Sequence, residues 1–99
     1  MASNGMRAIH PGEILREEFL TPLEMSANAL AIRLSVPAPR INDIARERRG
    51  ITPDTALRLA RFFGTTPEFW INLQTAYDLK VAKIANGDRI EQDVRPLAA

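Results

Sequence analysis

Apolar residues recur at spacings of three and four along most of this chain, as they do in amphipathic helices. Ile14, Leu15 and Phe19 begin the pattern, and a long run from Phe69 to Val81 ends it. Polar stretches that contain proline or glycine divide the pattern into five segments. We therefore predict an all-α fold of five helices.

Each predicted helix has a recognisable boundary. Proline is tolerated in the first turn of a helix, because its missing N–H is not needed there. A serine or threonine before the helix can cap the free N–H groups. The predicted starts are His10-Pro11, Ser26, Pro37, Thr52-Pro53 and Thr66-Pro67, and the predicted ends of the first and fourth helices are Thr21-Pro22 and Gly64.

The second and third helices form a predicted helix-turn-helix between Ser26 and Arg49. The apolar positions of these two short helices would meet over one shared core. The link Ser35-Val36-Pro37 is tight, although Ser35 stands where a glycine is usual. The core positions are Leu30, Ala31, Leu34, Ile41 and Ile44.

The exposed face of the third helix is the predicted base-reading surface. A rotation of 100° per residue places it opposite Ile41 and Ile44. Asn42 can read an adenine edge, and Arg46 a guanine or a phosphate. For Asp43 we favour an ion pair within the helix, with Arg40 or Arg46, over a cytosine contact. The predicted base contacts are Ala38, Pro39, Asn42, Asp43 and Arg46.

Charge is distributed unevenly along the chain. The net charge is only +1, yet residues 33–61 carry seven arginines against three acidic residues, a net of +4. Residues 1–32 and 62–99 have net charges of −2 and −1. A solvated basic surface is the alternative, but together with the helix-turn-helix the pattern favours double-stranded DNA. The predicted backbone contacts are Ser26, Asn28, Arg40, Arg48 and Arg49.

Few residues are suited to catalysis or metal binding. The chain has no cysteine and a single histidine, His10, which we assign to a structural helix start. The adjacent Glu17 and Glu18 point to different parts of a helix surface. No glycine-rich phosphate loop is present. We predict no enzyme activity, no metal and no cofactor. The sequence contains no run long enough to span a membrane, and we expect a cytoplasmic protein.

The C-terminal region is more apolar than a solitary terminal helix needs. The fifth helix either covers the core or also forms a self-association surface. Asn86-Gly87-Asp88 is a turn signal, and the tail after it is a frayed end, a short strand or a turn of helix. We divide the chain into an extended or disordered segment 1–8, a helix-turn-helix domain 9–85 and a tail 86–99.

A homodimer is predicted because one recognition helix reads only a few base pairs. Two helices about 34 Å apart would read two half-sites on one side of the duplex. The dimer needs a self-complementary surface away from the third helix. The candidate residues are Tyr77, Val81, Ile84, Ile90 and Val94.

The motifs HPGEILREEFL, SANALA and ITPDTALRLARFFGTTPEFWINLQTAYDL resemble the HigA-type, or VapI-like, antitoxins. The resemblance covers about residues 9 to 81, within the Xre, or λ-repressor-like, superfamily. It implies a compact five-helix domain and a RelE-like toxin partner that cleaves mRNA. It also implies repression of the shared operon as a dimer. A stand-alone Xre-type repressor and a protein-interaction adaptor are the alternatives.

Two residues depart from the family pattern. Glu47 stands where the recognition helix commonly ends in glycine, so it either adopts a left-handed conformation or lets the helix continue to Gly50. Ala27 stands where the superfamily often has a phosphate-binding glutamine. We expect Ser26 or Asn28 to take over that contact.

Overall fold

The computed structural model describes residues 7–98, which form five helices and no strand within that range. Helix α1 consists of three consecutive segments, Pro11–Ile14, the π-helical Leu15–Leu20 and Thr21–Leu23. The others are α2 (Ala27–Leu34), α3 (Ala38–Ala45), α4 (Pro53–Phe63) and α5 (Pro67–Asp93). The all-α, five-helix prediction is confirmed. The predicted disorder of segment 1–8 falls mostly outside the described residues.

Local side-chain caps start four of the helices where the sequence predicted them. The hydroxyls of Ser26, Thr52 and Thr66 accept hydrogen bonds from the N–H three residues later, at 3.0, 3.4 and 3.1 Å. His10 caps α1 in the same way, because its Nδ1 accepts from the Gly12 N–H at 2.8 Å. These bonds satisfy donors that a helix start otherwise leaves free.

Helix α1 ends at Leu23, one residue past its predicted end at Thr21-Pro22. The N–H of Thr21 bonds to the carbonyl of Arg16, five residues back, so the turn before Pro22 is wide. A wide turn makes room for the proline ring, which clashes with the carbonyl four residues back in a regular helix. Glu24, with φ of +51°, then ends the helix.

The core lies between α1, the helix-turn-helix, α4 and the first part of α5. Trp70 is fully buried and its Nε1–H donates to Thr65 Oγ1 at 2.7 Å. Its ring lies 4.9 Å from Phe19, which packs on Phe63 at 4.7 Å. The buried apolar set is Leu15, Leu20, Leu30, Ala31, Leu34, Ile41, Ile44, Ile51, Ala56, Leu59, Ala60 and Trp70.

Helix α5 continues through the predicted turn at Asn86-Gly87-Asp88, so that prediction is wrong. A glycine inside a helix costs only about 1 kcal/mol. Extending an existing helix adds one hydrogen bond per residue, which offsets that cost. The helix ends at Asp93, where the Val94 N–H still bonds to the carbonyl of Ile90. The tail therefore begins as helix, and no residue between 81 and 98 is buried.

Candidate nucleic-acid interface

The turn between α2 and α3 is closed by backbone hydrogen bonds around Ser35. Ser35 has φ of +59°, and the N–H of Val36 bonds to the carbonyl of Ala31 at 3.0 Å. This is the 6→1 bond of a helix end with a left-handed residue. Serine thus takes the conformation usually given to glycine, and the helix-turn-helix prediction is confirmed.

Glu47 ends the recognition helix α3 in a similar way. It adopts the left-handed conformation, with φ of +63°, and the N–H of Arg48 bonds to the carbonyl of Asp43 at 2.8 Å. Of the two possibilities for Glu47, the structure shows the left-handed one. Arg48 and Arg49 therefore lie exposed in the segment after α3, not on the helix.

The C-terminal end of α3 is also held by α1. Arg16 donates from Nη1 to the carbonyl of Ala45 at 2.6 Å and from Nη2 to the Glu47 carboxylate at 3.3 Å. Close approach of the two helices requires glycine at position 12, because a Cβ there would lie 1.8 Å from the carbonyl oxygen of Ile44. These contacts fix the position of the recognition helix relative to the core.

The C-terminal end of α2 is held by α4. Arg58 donates from Nη1 to the carbonyl of Leu34 at 2.9 Å and of Ser35 at 3.4 Å. Asp54 accepts from Arg58 at 2.9 Å and from Arg40 at 2.6 Å. These hydrogen bonds, first that from Arg58, lower the pKa of the Asp54 carboxyl. Only the Asp54–Arg58 spacing of four residues was a signal in the sequence for this network.

The predicted base-reading residues lie along α3, and one of them, Ala38, is half-buried and packs against the hydrophobic core. Pro39 and Arg46 are exposed, while Asn42 is half-buried. Asn42 Nδ2 donates to Asn28 Oδ1 at 2.6 Å and to the carbonyl of Ala38 at 3.0 Å. The structure therefore joins a predicted base contact directly to a predicted backbone contact.

The predicted ion pairs within α3 are wrong. Asp43 pairs with Arg49, at 3.9 Å, because the turn at Glu47 brings the following segment back alongside the helix. Arg40 instead pairs with Asp54 of α4. Arg46 and Arg48 are both exposed, and neither of them forms an ion pair with another described residue.

The N-terminal end of α2 offers hydrogen-bond donors. Ser26 Oγ accepts from the Ala29 N–H, so its own O–H stays available as a donor. Asn28 is exposed in the first helical turn. The N-terminus of a helix attracts anions. Ser26 or Asn28 was expected to replace the phosphate-binding glutamine that the superfamily often has at the position of Ala27, and this stays a prediction.

The five residues predicted for dimerisation divide over two sides of α5. Tyr77, Val81 and Ile84 share one side at 100° per residue, whereas Leu79, Ile90 and Val94 share another side, about 140° away around the helix. Tyr77 is half-buried and its ring packs edge-on against His10 at 4.8 Å. The exposed fractions of Leu79, Ile84, Ile90 and Val94 lie between 53 and 67%.

His10 has a structural position, as predicted. Its side chain is buried and caps α1 through Nδ1, which must be unprotonated to accept the Gly12 N–H. Burial lowers the pKa of His10 below its ordinary value. Within residues 7–98, no group of acidic or histidine side chains is placed to hold a metal ion. No helix in the same range is long and apolar enough to cross a membrane.

Comparison with known proteins identifies the family. The helix-turn-helix family model matches residues 15–70. Virulence-associated protein I of Dichelobacter nodosus is 64% identical over 80 residues, which are 81% of this chain and 74% of that protein. The Pseudomonas aeruginosa antitoxin HigA, solved with the higBA promoter, is 55% identical with a TM-score of 0.90. The match covers 92% of this chain and 99% of that one.

A HigA-family addiction-module antidote of Coxiella burnetii is 58% identical, with a TM-score of 0.88 over 92% of this chain and 99% of that chain. The chain belongs to the HigA-type antitoxins of the Xre helix-turn-helix family. This is a family of DNA-binding transcriptional regulators and not of enzymes, in agreement with the sequence-based prediction. The λ-repressor-like fold class is likewise confirmed.

Proposed function

We propose that this HigA-type protein represses its own operon as a homodimer and neutralises a RelE-like mRNA-cleaving toxin encoded beside it. The main support is the P. aeruginosa HigA bound to the higBA promoter, which shares 55% identity over 92% of this chain. Operator binding then requires an accessible recognition helix, and α3 presents Pro39 and Arg46 to solvent.

In this proposal one surface of the protein contacts the bases of the operator and another contacts its phosphates. The outer side of α3 reads base edges in the major groove through Ala38, Pro39, Asn42 and Arg46, with Asp43 reaching a base only if it leaves its pair with Arg49. The start of α2 and the exposed segment after α3 contact phosphates. The backbone contacts are Ser26, Asn28, Arg48 and Arg49, with Arg40 reaching DNA only if it leaves its bond to Asp54.

Operator binding is tested with the upstream sequence of the protein's own gene and random DNA of the same length. We expect specific binding and a linear fall of log affinity with log salt concentration. Arg48→Ala should weaken binding to both DNAs alike and reduce the salt slope by about one unit. Arg89→Ala, at an exposed arginine late in α5, is the matched control and should leave the slope unchanged.

Toxin neutralisation is tested by expressing the adjacent small reading frame alone and together with this protein. Growth arrest by the neighbour, relief on co-expression and a co-purifying complex are the expected results. If operator binding is present but toxicity and complex are both absent, the protein is a stand-alone Xre-type repressor. If operator binding is also absent, only an interaction adaptor remains.

The proposed dimer uses the exposed apolar residues late in α5. These residues do not contribute to the core of the single chain, since residues 81–98 contain no buried position. Exposed apolar surface of this kind commonly marks an association site. The two sides of the helix, Val81 with Ile84 and Leu79 with Ile90 and Val94, are alternative contact surfaces for the second copy.

A further inference from the structure

An asparagine pair joins α2 to α3 on the outer side of the helix-turn-helix. The side-chain amide of Asn42 donates to Asn28 Oδ1 at 2.6 Å and to the carbonyl of Ala38 at 3.0 Å. A side-chain amide has two N–H hydrogens. The two bonds therefore use both donors of Asn42.

The orientation of the two amides follows from their partners. A backbone carbonyl can only accept, so the Asn42 atom that faces Ala38 must be nitrogen. The Asn28 atom bonded to that nitrogen must then be its oxygen. This leaves Asn42 with its Oδ1 as a free acceptor and Asn28 with two free N–H donors.

This state changes what Asn42 can read. A bidentate contact with adenine needs one donor and one acceptor from the same amide. Asn42 has only the acceptor left while it is bonded to Asn28 and Ala38. The major-groove groups that complement an acceptor are the exocyclic amino groups, N6 of adenine and N4 of cytosine.

We propose that Asn28 and Asn42 recognise the operator as one unit, a proposal that rests on the proposed operator binding. Asn42 Oδ1 accepts from the exocyclic amino group of an adenine or cytosine. Asn28 holds Asn42 in that orientation and donates its two free N–H groups to a phosphate. Asn28 is exposed in the first turn of α2, where the helix N-terminus favours an anion. Asn28 is thus a positioning residue for base recognition as well as a backbone contact.

The test measures binding to the operator and to a panel of operators changed at one base pair each. Asn42→Ala should weaken operator binding by about 5- to 150-fold and remove the preference at one base pair. Asn28→Ala should reduce the preference at that same base pair. The double variant should show the same preference at that base pair as Asn42→Ala alone, because the two residues share one interaction.

Asn28→Asp separates the two roles of Asn28. Aspartate keeps an oxygen for the Asn42 amide but has no N–H, and its charge repels phosphate. It should keep the base preference while weakening binding to every sequence in the panel. Asn72→Ala, at an exposed asparagine of α5, is the control and should change neither quantity. Thermal unfolding of each variant confirms that the fold is retained.

The possible failures are distinguishable. If Asn28→Ala weakens every sequence equally while Asn42→Ala alone alters the preference, Asn28 is only a phosphate contact and the pairing proposal is overturned. Loss of the preference in Asn28→Asp would equally overturn it. If the unmodified protein does not distinguish its operator from random DNA, the proposed operator binding itself has failed.

Discussion

The two halves of α5 have opposite relations to the rest of the molecule. The packed domain, residues 10–80, contains every residue that is buried within the described range 7–98, and the first part of α5 contributes Trp70 to its core. The C-terminal extension, residues 81–98, is as rich in aliphatic side chains but buries none of them. One helix thus stabilises the fold with its first turns and leaves apolar side chains exposed on its last ones.

Trp70→Ala is expected to have the largest effect. Truncating a fully buried tryptophan leaves a cavity and removes the Nε1–H bond to Thr65, so stability should fall by about 3–5 kcal/mol. Ile84→Ala, in the C-terminal extension, should change stability by less than about 0.5 kcal/mol. Urea unfolding at low protein concentration measures both, since dissociation then adds nothing. Comparable losses would contradict the division of α5.

Truncation after Lys80 should separate folding from assembly. The shortened chain keeps Trp70 and should unfold cooperatively, but it should sediment as a monomer. Losing the second half-site should weaken operator binding by at least about 100-fold. A chain ended after Arg95 keeps Ile90 and Val94 and serves as the control. A dimer with normal operator affinity after the Lys80 truncation would place the interface elsewhere.

Single charged substitutions on the two sides of α5 sharpen the same comparison. Ile84 and Ile90 are similarly exposed, at 63 and 53%, but point in directions about 120° apart around the helix. A lysine buried in an interface is costly. Ile84→Lys or Ile90→Lys, whichever faces the second copy, should give monomers at micromolar concentration, while the other keeps the dimer.

Much of the packed domain could be predicted because its signals are local. Ser26, Thr52 and Thr66 cap helices that begin one residue later, and the apolar positions of α2 and α3 are read from spacing alone. The positions of Arg16 and Arg58 could not be predicted. Their carbonyl partners lie 29 and 24 residues away along the chain.

The errors have a similar origin. Asp43 has suitable partners at a spacing of three, but the left-handed turn at Glu47 supplies Arg49 instead. The sequence predicted a turn at Asn86-Gly87-Asp88, but the preceding helix continues through these residues. The hydrogen bond between Asn28 and Asn42 was not predicted either. The sequence assigned the two residues to separate DNA contacts, and only the packing of α2 on α3 brings them together.

Arg58→Met tests one of these long-range contacts within the packed domain. Methionine keeps the apolar stem but leaves the carbonyls of Leu34 and Ser35 without their charged donor. Because the side chain is 40% exposed, water replaces part of the loss, and we expect a decrease in stability of about 1–2 kcal/mol. Arg61→Met, at an exposed position of the same helix, should change stability by less than about 0.5 kcal/mol. Equal losses would rule out the capping role.

The smallest expected effect is a pH dependence of the free energy of unfolding that comes from His10. This residue lies where α1 meets α5, beside Tyr77. Burial lowers the pKa of His10 in the folded protein, against the influence of Glu47 and Asp78 and aided by Arg16. Below the unfolded pKa of about 6.5, the unfolded chain therefore binds more protons than the folded one. The free energy of unfolding should fall as the pH is lowered from 7.5 to 5.

His10→Asn isolates this contribution, because asparagine also caps helix starts but does not titrate. The pKa values of the Glu13 and Asp54 carboxyl groups are lowered by their arginine partners, which moves the protonation of these groups away from this pH range. Urea unfolding across the window should give a steeper pH dependence for the unmodified protein than for His10→Asn. Equal slopes would mean that the imidazole becomes protonated without disturbing its hydrogen bond to Gly12, and that α1 tolerates a charge against α5.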